Sequence, residues 1–371
     1  MNIFYYDIAV GLPLRQCFTY KSKEVIKKGK RVIVPFGSKS IVGIVVKKIA
    51  KPKSLKGLKE IISIADEYSC FNGSIFEAIT WASDYYHHPI GEVFFSFMPT
   101  LLRKQNDKII IDLDDNTEYK LNEKDKKLKL TKEQNINLSK LNKVEKFSPS
   151  LIYGVTGSGK TEIYLQLAEK FILQNKSILI LVPEINLIPQ LEKRFKDRFN
   201  GDIGVYHSRQ TPNQRLKVWL RSKFGEIRIV IGTRSSVLMP LKNLGAIIID
   251  EEHDSSYKQE SSPRYLTHEV ARKRADIHHA KLVFGSATPS LSTFASIRTN
   301  DYGYYRLTKR YNDITMPQVS ILDLTAAIHN HLVHDDLIEQ IQTTLAIHRT
   351  HIPQRLCRIL HIPMAHRESR F

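Results

Sequence analysis

Short runs of consecutive apolar residues recur along the middle of the chain: LIYGV, SILILVP, IRIVIGT, AIIID and KLVFGSA, all between positions 151 and 287. Runs this short and this continuous suit strands buried on both faces. Between them, EIYLQLAEKFILQN (162–175) and IPQLEKRFKDRF (188–199) space their apolar residues by three or four, as a helix with one buried face does. The alternation predicts an α/β domain over residues 131–325, a parallel sheet covered by helices on both sides.

The pattern before this domain differs. FTYKSK, KRVIVPFG and SIVGIVVKKI are rich in β-branched residues and are broken by turns at Lys28-Gly29 and Phe36-Gly37. A small β-rich domain over 1–102 is expected. It carries one helix over about 70–86, with Ile75, Phe76, Ile79 and Ala82 on one face; Pro89 marks the helix exit and Pro99 the end of the domain. Residues 103–130 are charged, mixed in sign and poor in aromatics, which predicts a linker with one short strand. A helix is expected from Thr131, followed by Glu133 and Gln134 as start signals. From 326 to 371 no period is visible: residues 310–371 contain no lysine, and seven of the fourteen histidines fall between His329 and His366. Their irregular spacing argues for a disordered or aberrant tail rather than a metal site.

Composition bounds the class. A chain of 371 residues has room for two or three domains, and 42% apolar content can build real cores. There is no apolar stretch of membrane-spanning length and no basic leader followed by an apolar run. Cys17, Cys70 and Cys357 are too dispersed for a disulfide framework or a zinc site. A cytoplasmic protein with no membrane partner is the expectation. The formal charge of +18 points to a polyanionic partner, and residues 21–60 concentrate it, with thirteen Lys or Arg against two acids.

Two motifs supply the chemistry. Gly154–Thr161, GVTGSGKT, follows a predicted strand and opens a predicted helix, the context a phosphate-binding P-loop requires. Gly154, Gly157 and Gly159 let the backbone turn tightly, so that N–H groups of Val155, Thr156 and Ser158 can face phosphate oxygens. Lys160 is expected on the β- and γ-phosphates and Thr161 on Mg²⁺. The strand AIIID then runs into Asp250-Glu251-Glu252-His253, a Walker B pattern. Asp250 would hold Mg²⁺, and Glu251 would orient or deprotonate the attacking water. Ser286 and Thr288, in GSATP at the end of the next strand, can link Glu252 and His253 of this motif to a nucleic-acid side. Thr233 and Arg234, at the carboxyl end of another predicted strand, suit phosphate contacts on DNA.

DEEH followed by GSATP resembles the helicase superfamily 2 arrangement. More specifically, GVTGSGKTEIYL, LVPEINLIPQL, GTRSSVLMPL, IIIDEEHDSSYKQESSPRY and FGSATPSLST are similar to the first ATPase lobe of the primosomal protein N′ family, the bacterial replication-restart DNA helicases. The resemblance runs over about residues 1–325. It implies ATP and Mg²⁺ as cofactors, 3′-to-5′ movement on DNA, and forked or single-stranded DNA as partner. It also implies contacts with other primosome and replication-restart proteins and with single-stranded-DNA-binding protein. Leu130–Gln134 resembles the family's glutamine motif, which makes Gln134 the expected adenine reader. Tyr257, Lys258 and Arg264 fall in a stretch that resembles the aromatic-rich loop coupling DNA contact to hydrolysis. Phe18-Thr19-Tyr20 and the segment ending at Gly37 resemble the 3′-DNA-end-binding domain, with Phe18, Tyr20 and Gly37 against the terminal nucleotide. Thr19 stands where many members carry Asp.

Three departures accompany the resemblance. The stretch between Pro99 and Gly154 is short for the family's winged-helix domain. The cysteines that bind zinc in the family are absent, and so is the second ATPase lobe. The expectation is a truncated or frameshifted product. An ATP- and DNA-binding scaffold without unwinding activity stands as the alternative to a helicase, and a P-loop enzyme acting on RNA as a third reading.

Overall fold

The structure is a computed structural model. It describes residues 2–71, 73–105, 120–121, 128–143, 149–299 and 301–310. The tail expected at 326–371, the last residues of the lobe expected to reach 325, and most of the linker lie outside the described residues.

Five antiparallel strands form the first domain: β1 (Phe4–Val10), β2 (Phe18–Ser22), β3 (Arg31–Phe36), β4 (Lys39–Ile49) and β5 (Ser63–Ile64), in the order β2-β1-β4-β3-β5. Residues just before β5 bring the two edges of the sheet together. Lys21 N–H donates to the Lys59 carbonyl at 3.0 Å, and Ile61 N–H to the Lys21 carbonyl at 2.9 Å. The enclosed core holds Tyr6, Ile8, Val10, Tyr20, Val32, Val34 and Val45. The sequence pattern above begins at Phe18 and misses β1, which pairs with both β2 and β4.

Two helices follow, α1 (Gly73–Tyr85) and α2 (Ile90–Phe97). The second was not expected. Pro89, which follows the end of α1 as expected, is also the N-cap of α2, because the first turn of a helix has no partner for an N–H that proline lacks. Gly91 lets α2 approach β1 closely: a Cβ there would collide with the Val10 carbonyl. Gly91→Ala is therefore expected to destabilise the first domain by about 1–3 kcal/mol, read as a lower urea midpoint with an unchanged slope.

The short strand expected in the linker is present as β6 (Lys120–Leu121), and the expected helix is α3 (Lys132–Lys143). The lobe then runs β7 (Ser150–Gly154), α4 (Lys160–Leu173), β8 (Ser177–Leu181), α5 (Ile188–Arg198), β9 (Phe199–Asn200), β10 (Ile203–Tyr206) and α6 (Pro212–Phe224). It continues through β11 (Ile229–Gly232), β12 (Leu244–Asp250), β13 (Lys258–Gln259), β14 (Tyr265–Leu266), α7 (Thr267–His278), β15 (Lys281–Ser286), α8 (Leu291–Arg298) and β16 (Gly303–Leu307). Seven of these strands form one parallel sheet in the order β10-β11-β8-β12-β15-β7-β16. The two-residue strands pair antiparallel as β6 with β9 and β13 with β14.

The five apolar runs are the five inner strands. Both edge strands escaped the pattern: β10 is only 4 residues long, and the Gly303–Leu307 positions of β16 alternate between covered and exposed. One face of the sheet packs under α3, α4 and α5. The other packs against α6, α7 and the α1–α2 pair, so a single apolar core joins the lobe to the first domain. Phe97 lies 5.3 Å from Tyr265 and Phe71 lies 6.0 Å from Trp219, ring centre to ring centre, across that junction. Among the described residues, no helix is long and apolar enough to cross a membrane.

Candidate nucleotide and nucleic-acid sites

The inner strands β7 and β12 end side by side with only β15 between them, which brings the P-loop to the acidic motif. β7 ends at Gly154 and α4 begins at Lys160, with Gly159 as its N-cap at φ 81°. Gly157 also sits in the left-handed region, at φ 80°, where any other residue type is strained. A Cβ on Gly154 would come 2.5 Å from the Ser158 hydroxyl. That hydroxyl is buried and has no hydrogen-bond partner among the described residues. A glycine cradle with an orphaned buried donor at the start of a helix is chemically suited to a phosphate.

Lys160 Nζ donates to the Gly154 carbonyl at 3.0 Å and lies 3.6 Å from Glu251 Oε1. The cleft around it, about 510 Å³, is lined by Val155–Thr161, Asp250, Glu251, Gln134, Gln190 and Arg194, among others. Asp250 accepts a hydrogen bond from the Tyr164 hydroxyl at 2.9 Å. Burial pushes the Asp250 carboxyl above its ordinary range, and the Tyr164 bond offsets part of that. Bringing a cation to Asp250 is therefore favourable, since it relieves a carboxylate held out of water. Thr161 lines the same cleft. A Mg²⁺ ion carried in with a nucleoside triphosphate fits this donor set, one hydroxyl and one carboxylate with phosphate oxygens completing it. Glu251 holds a positive φ of 45°, a strained backbone of the kind that clusters at functional sites.

The second half of DEEH turns away from the cleft. Glu252 is 2% exposed. It accepts from Ser290 N–H at 2.8 Å, the Ser290 hydroxyl at 3.1 Å and the Thr293 hydroxyl at 3.0 Å. Burial works to raise its carboxyl, but the hydrogen bonds from His268, Ser290 and Thr293 outweigh it and hold the group below its usual range. His253 Nδ1 lies 2.8 Å from the Ser286 hydroxyl and 3.7 Å from Glu251 Oε2. Ser286 Oγ also accepts from Thr288 N–H at 3.0 Å. Lys160, Glu251, His253 and Ser286 thus form one polar chain. Thr288 enters it through its backbone, not through the hydroxyl expected from the sequence. Ser286→Ala is expected to leave nucleotide binding within about twofold while weakening any effect of DNA on it, since the His253 and Thr288 links are lost but no group lining the nucleotide cleft is. Titrating nucleotide with and without DNA measures both.

Several expected contacts are placed otherwise. Gln134 is 1% exposed. Its amide donates to the Ser158 carbonyl at 2.7 Å, and its carbonyl accepts from Thr131 N–H at 2.9 Å. It braces the P-loop and caps α3 rather than offering a free amide to adenine. Tyr257 is 1% exposed, and its hydroxyl donates to the Asp250 carbonyl at 2.6 Å and the Leu181 carbonyl at 3.0 Å. It cannot stack on a base from there, whereas Lys258 and Arg264 of the same loop are exposed. Arg234 donates to the Ser256 and Lys258 carbonyls at 2.7 and 3.0 Å, so it ties that loop to the end of β11 beside Thr233. In the first domain Tyr20 is a core residue at 4% exposure, its hydroxyl donating to the Pro35 carbonyl. Phe18 is half-buried, edge-on to Phe36 at 5.0 Å, and Gly37 is exposed at φ 58°. Thr19, on the opposite face of β2, donates to Asp7 Oδ1 at 3.0 Å.

Sequence reasoning missed Tyr164, His268, Ser290 and Thr293. Ser290 had a readable signal, an N-cap serine three residues before a threonine. The others depend on which faces of α4, α7 and α8 meet the end of β12, which a linear pattern does not encode. Among the described residues no group of three or more His, Cys, Asp or Glu is placed to hold a metal by itself.

Comparison with known proteins gives the geometry a lineage. Residues 7–99 match a family model described as a 3′DNA-binding domain (3′BD). Residues 134–297 match one described as a DEAD/DEAH box helicase. The replication restart protein PriA of Bacillus subtilis is 45% identical over 199 residues, 53% of this chain and 25% of that protein. PriA of Haemophilus influenzae is 34% identical over 390 aligned positions, covering 85% of this chain and 53% of the relative. PriA of Rickettsia felis is 35% identical over 325, covering 86% and 48%. The chain thus spans about half the length of the curated relatives that it matches over most of its own length. A β-rich first domain, a P-loop facing an acidic strand end in a parallel sheet, and these identities lead to one conclusion: the chain belongs to the PriA family of replication restart proteins.

Proposed function

We propose that this chain is the ATP- and DNA-binding portion of a replication-restart DNA helicase. It would take ATP with Mg²⁺ in the cleft between the P-loop and DEEH, and forked or single-stranded DNA on the first domain and the strand ends of the lobe. The observation that carries the reading is the meeting of Lys160 with Glu251 across a cleft whose buried Ser158 hydroxyl lacks a partner.

Each residue has a derived role. Lys160 leaves Glu251 and the Gly154 carbonyl to take the β- and γ-phosphates, a stronger charge-assisted contact. Thr161 and Asp250 would hold Mg²⁺, which when bound would neutralise phosphate charge. Once Lys160 moves, Glu251 is free to accept a proton from the attacking water. His253 passes a change at Glu251 to Ser286 and so to the GSATP turn. Lys258 and Arg264 are the proposed DNA contacts of the lobe, Phe18 and Gly37 those of the first domain, with Thr233 and Arg234 positioning the loop between. Other primosome and replication-restart proteins, single-stranded-DNA-binding protein among them, are the proposed protein partners, in the cytoplasm.

ATP turnover measured with and without forked DNA over a salt series tests the reading. DNA-stimulated turnover supports a motor. Binding of both ligands without stimulation supports the scaffold alternative, and failure to bind nucleotide sinks the proposal.

A further inference from the structure

Where the first domain ends against the lobe, two arginines approach each other with no acid between them. Arg103 closes a short helical turn (Thr100–Arg103) that packs beside α6, and Arg215 projects from α6 itself. Arg103 donates only to carbonyls, that of Met98 at 2.8 Å and that of Ser96 at 3.2 Å. Arg215 lies over the Tyr206 ring, 4.9 Å from its centre, and donates to the Tyr206 hydroxyl at 3.1 Å. Neither guanidinium meets a carboxylate among the described residues. Burial lowers Arg103 below the usual arginine range, and Arg215 lowers it further. His207 follows Tyr206 at the carboxyl end of β10. Burial lowers its imidazole first, then Arg209 and Arg215 do the same. Glu192 faces His207 but is paired with Lys196 at 2.6 Å. Two buried nitrogens here have no hydrogen-bond partner among the described residues, Arg215 Nε and His207 Nδ1.

Half-buried cations that repel one another, with donors left open, are a costly arrangement that an anion would relieve. The place also suits one. In an open parallel sheet ligands gather at the carboxyl ends of strands, and β10 is the edge strand farthest along the sheet from the P-loop end. The anion therefore does not share the nucleotide cleft.

We infer that Arg103 and Arg215, with His207 beside them, hold a phosphodiester of bound DNA at the seam between the first domain and the lobe. The inference rests on the DNA-binding reading above. A backbone phosphate is favoured over a base because every donor is a charged or ring N–H, and the ring beside them, Tyr206, is 1% exposed and already covered by Arg215. One arginine comes from each domain, so the bound strand would span the seam that their shared core already closes.

The test uses the full chain with Arg103→Gln and Arg215→Gln, which keep a donor for the Met98 carbonyl or the Tyr206 hydroxyl but remove the charge. Binding of single-stranded DNA is measured over a salt series, with nucleotide binding as the check that the lobe is folded. Each variant is expected to weaken DNA binding several-fold, equally for unrelated sequences, and to make the salt slope shallower by about one phosphate. Arg103→Lys is expected to restore the slope. Inorganic phosphate should compete with the unaltered chain's DNA binding more than with that of the double variant. Unchanged affinity and slope in variants that still bind nucleotide overturn the site. A variant that loses nucleotide binding as well shows that the arginines hold the fold, and also overturns it. If the unaltered chain binds no DNA at all, the DNA reading itself fails.

Discussion

Lys160→Ala is expected to lower nucleotide affinity by about 100-fold or more while leaving DNA binding largely intact. Truncating one partner of a buried, hydrogen-bonded charge pair costs about 2–5 kcal/mol, and 1.4 kcal/mol is already tenfold. The Lys160 side chain is 10% exposed and, among the described residues, its ammonium meets the Gly154 carbonyl and Glu251. Its removal therefore takes the charge from the phosphates and leaves Glu251 facing them unneutralised. The first domain and the β10 end of the sheet lie away from that cleft, so their contacts should persist. A fluorescent-nucleotide titration beside fork-binding anisotropy decides it. Loss of both activities together would mean that the two sites are not separate.

The second large effect is on stability. Arg198 of α5 is buried between two carboxylates of α4, reaching Glu162 at 3.0 Å and Glu169 at 2.6 Å. Arg198→Ala leaves two buried acids on one helix face with their shared cation gone, a change worth about 3–5 kcal/mol. Because α4 begins at Lys160, loosening it also lets the P-loop drift, and nucleotide affinity should fall alongside. The triple variant with Glu162→Gln and Glu169→Gln is expected to recover most of the loss, because no buried charge then lacks its partner. Urea unfolding measures both. A cost under about 1 kcal/mol for Arg198→Ala would show that water reaches these carboxylates.

What could be read from the sequence was what is contiguous in it. GVTGSGKT and DEEH each present most of their chemistry within eight residues, and five inner strands announce themselves as apolar runs because both faces are buried. Sequence could not say which aromatic is swallowed. Tyr20 and Tyr257 sit in stretches where a stacking residue is plausible, but their hydroxyls find carbonyls inside the core. Gln134 shows the same limit: its neighbours suggested a base reader, and packing against Ser158 made it a brace. β1 was missed because FYYDIAV mixes aromatics with a single acid, and only pairing on both sides makes it central. The Arg103–Arg215 seam joins residues more than a hundred positions apart, and no local pattern could announce it.

The sheet order has a consequence for how such a lobe is made. β16 follows every other strand of the sheet in the chain, yet it lies beside β7, the first of them, and Val155 N–H reaches the Leu307 carbonyl at 3.4 Å. Thr308 then clasps Glu133 at the start of α3 through its N–H at 2.9 Å and its hydroxyl at 2.6 Å. During vectorial synthesis the P-loop strand emerges early but keeps an open edge until residues 303–308 arrive. A nascent chain arrested before that point carries the whole GVTGSGKT sequence beside an unpaired strand edge, the kind of surface that templates misassociation. Closure of the sheet beside the P-loop strand is thus timed to the arrival of residues 303–308, well after the signature residues of the nucleotide cleft have been made.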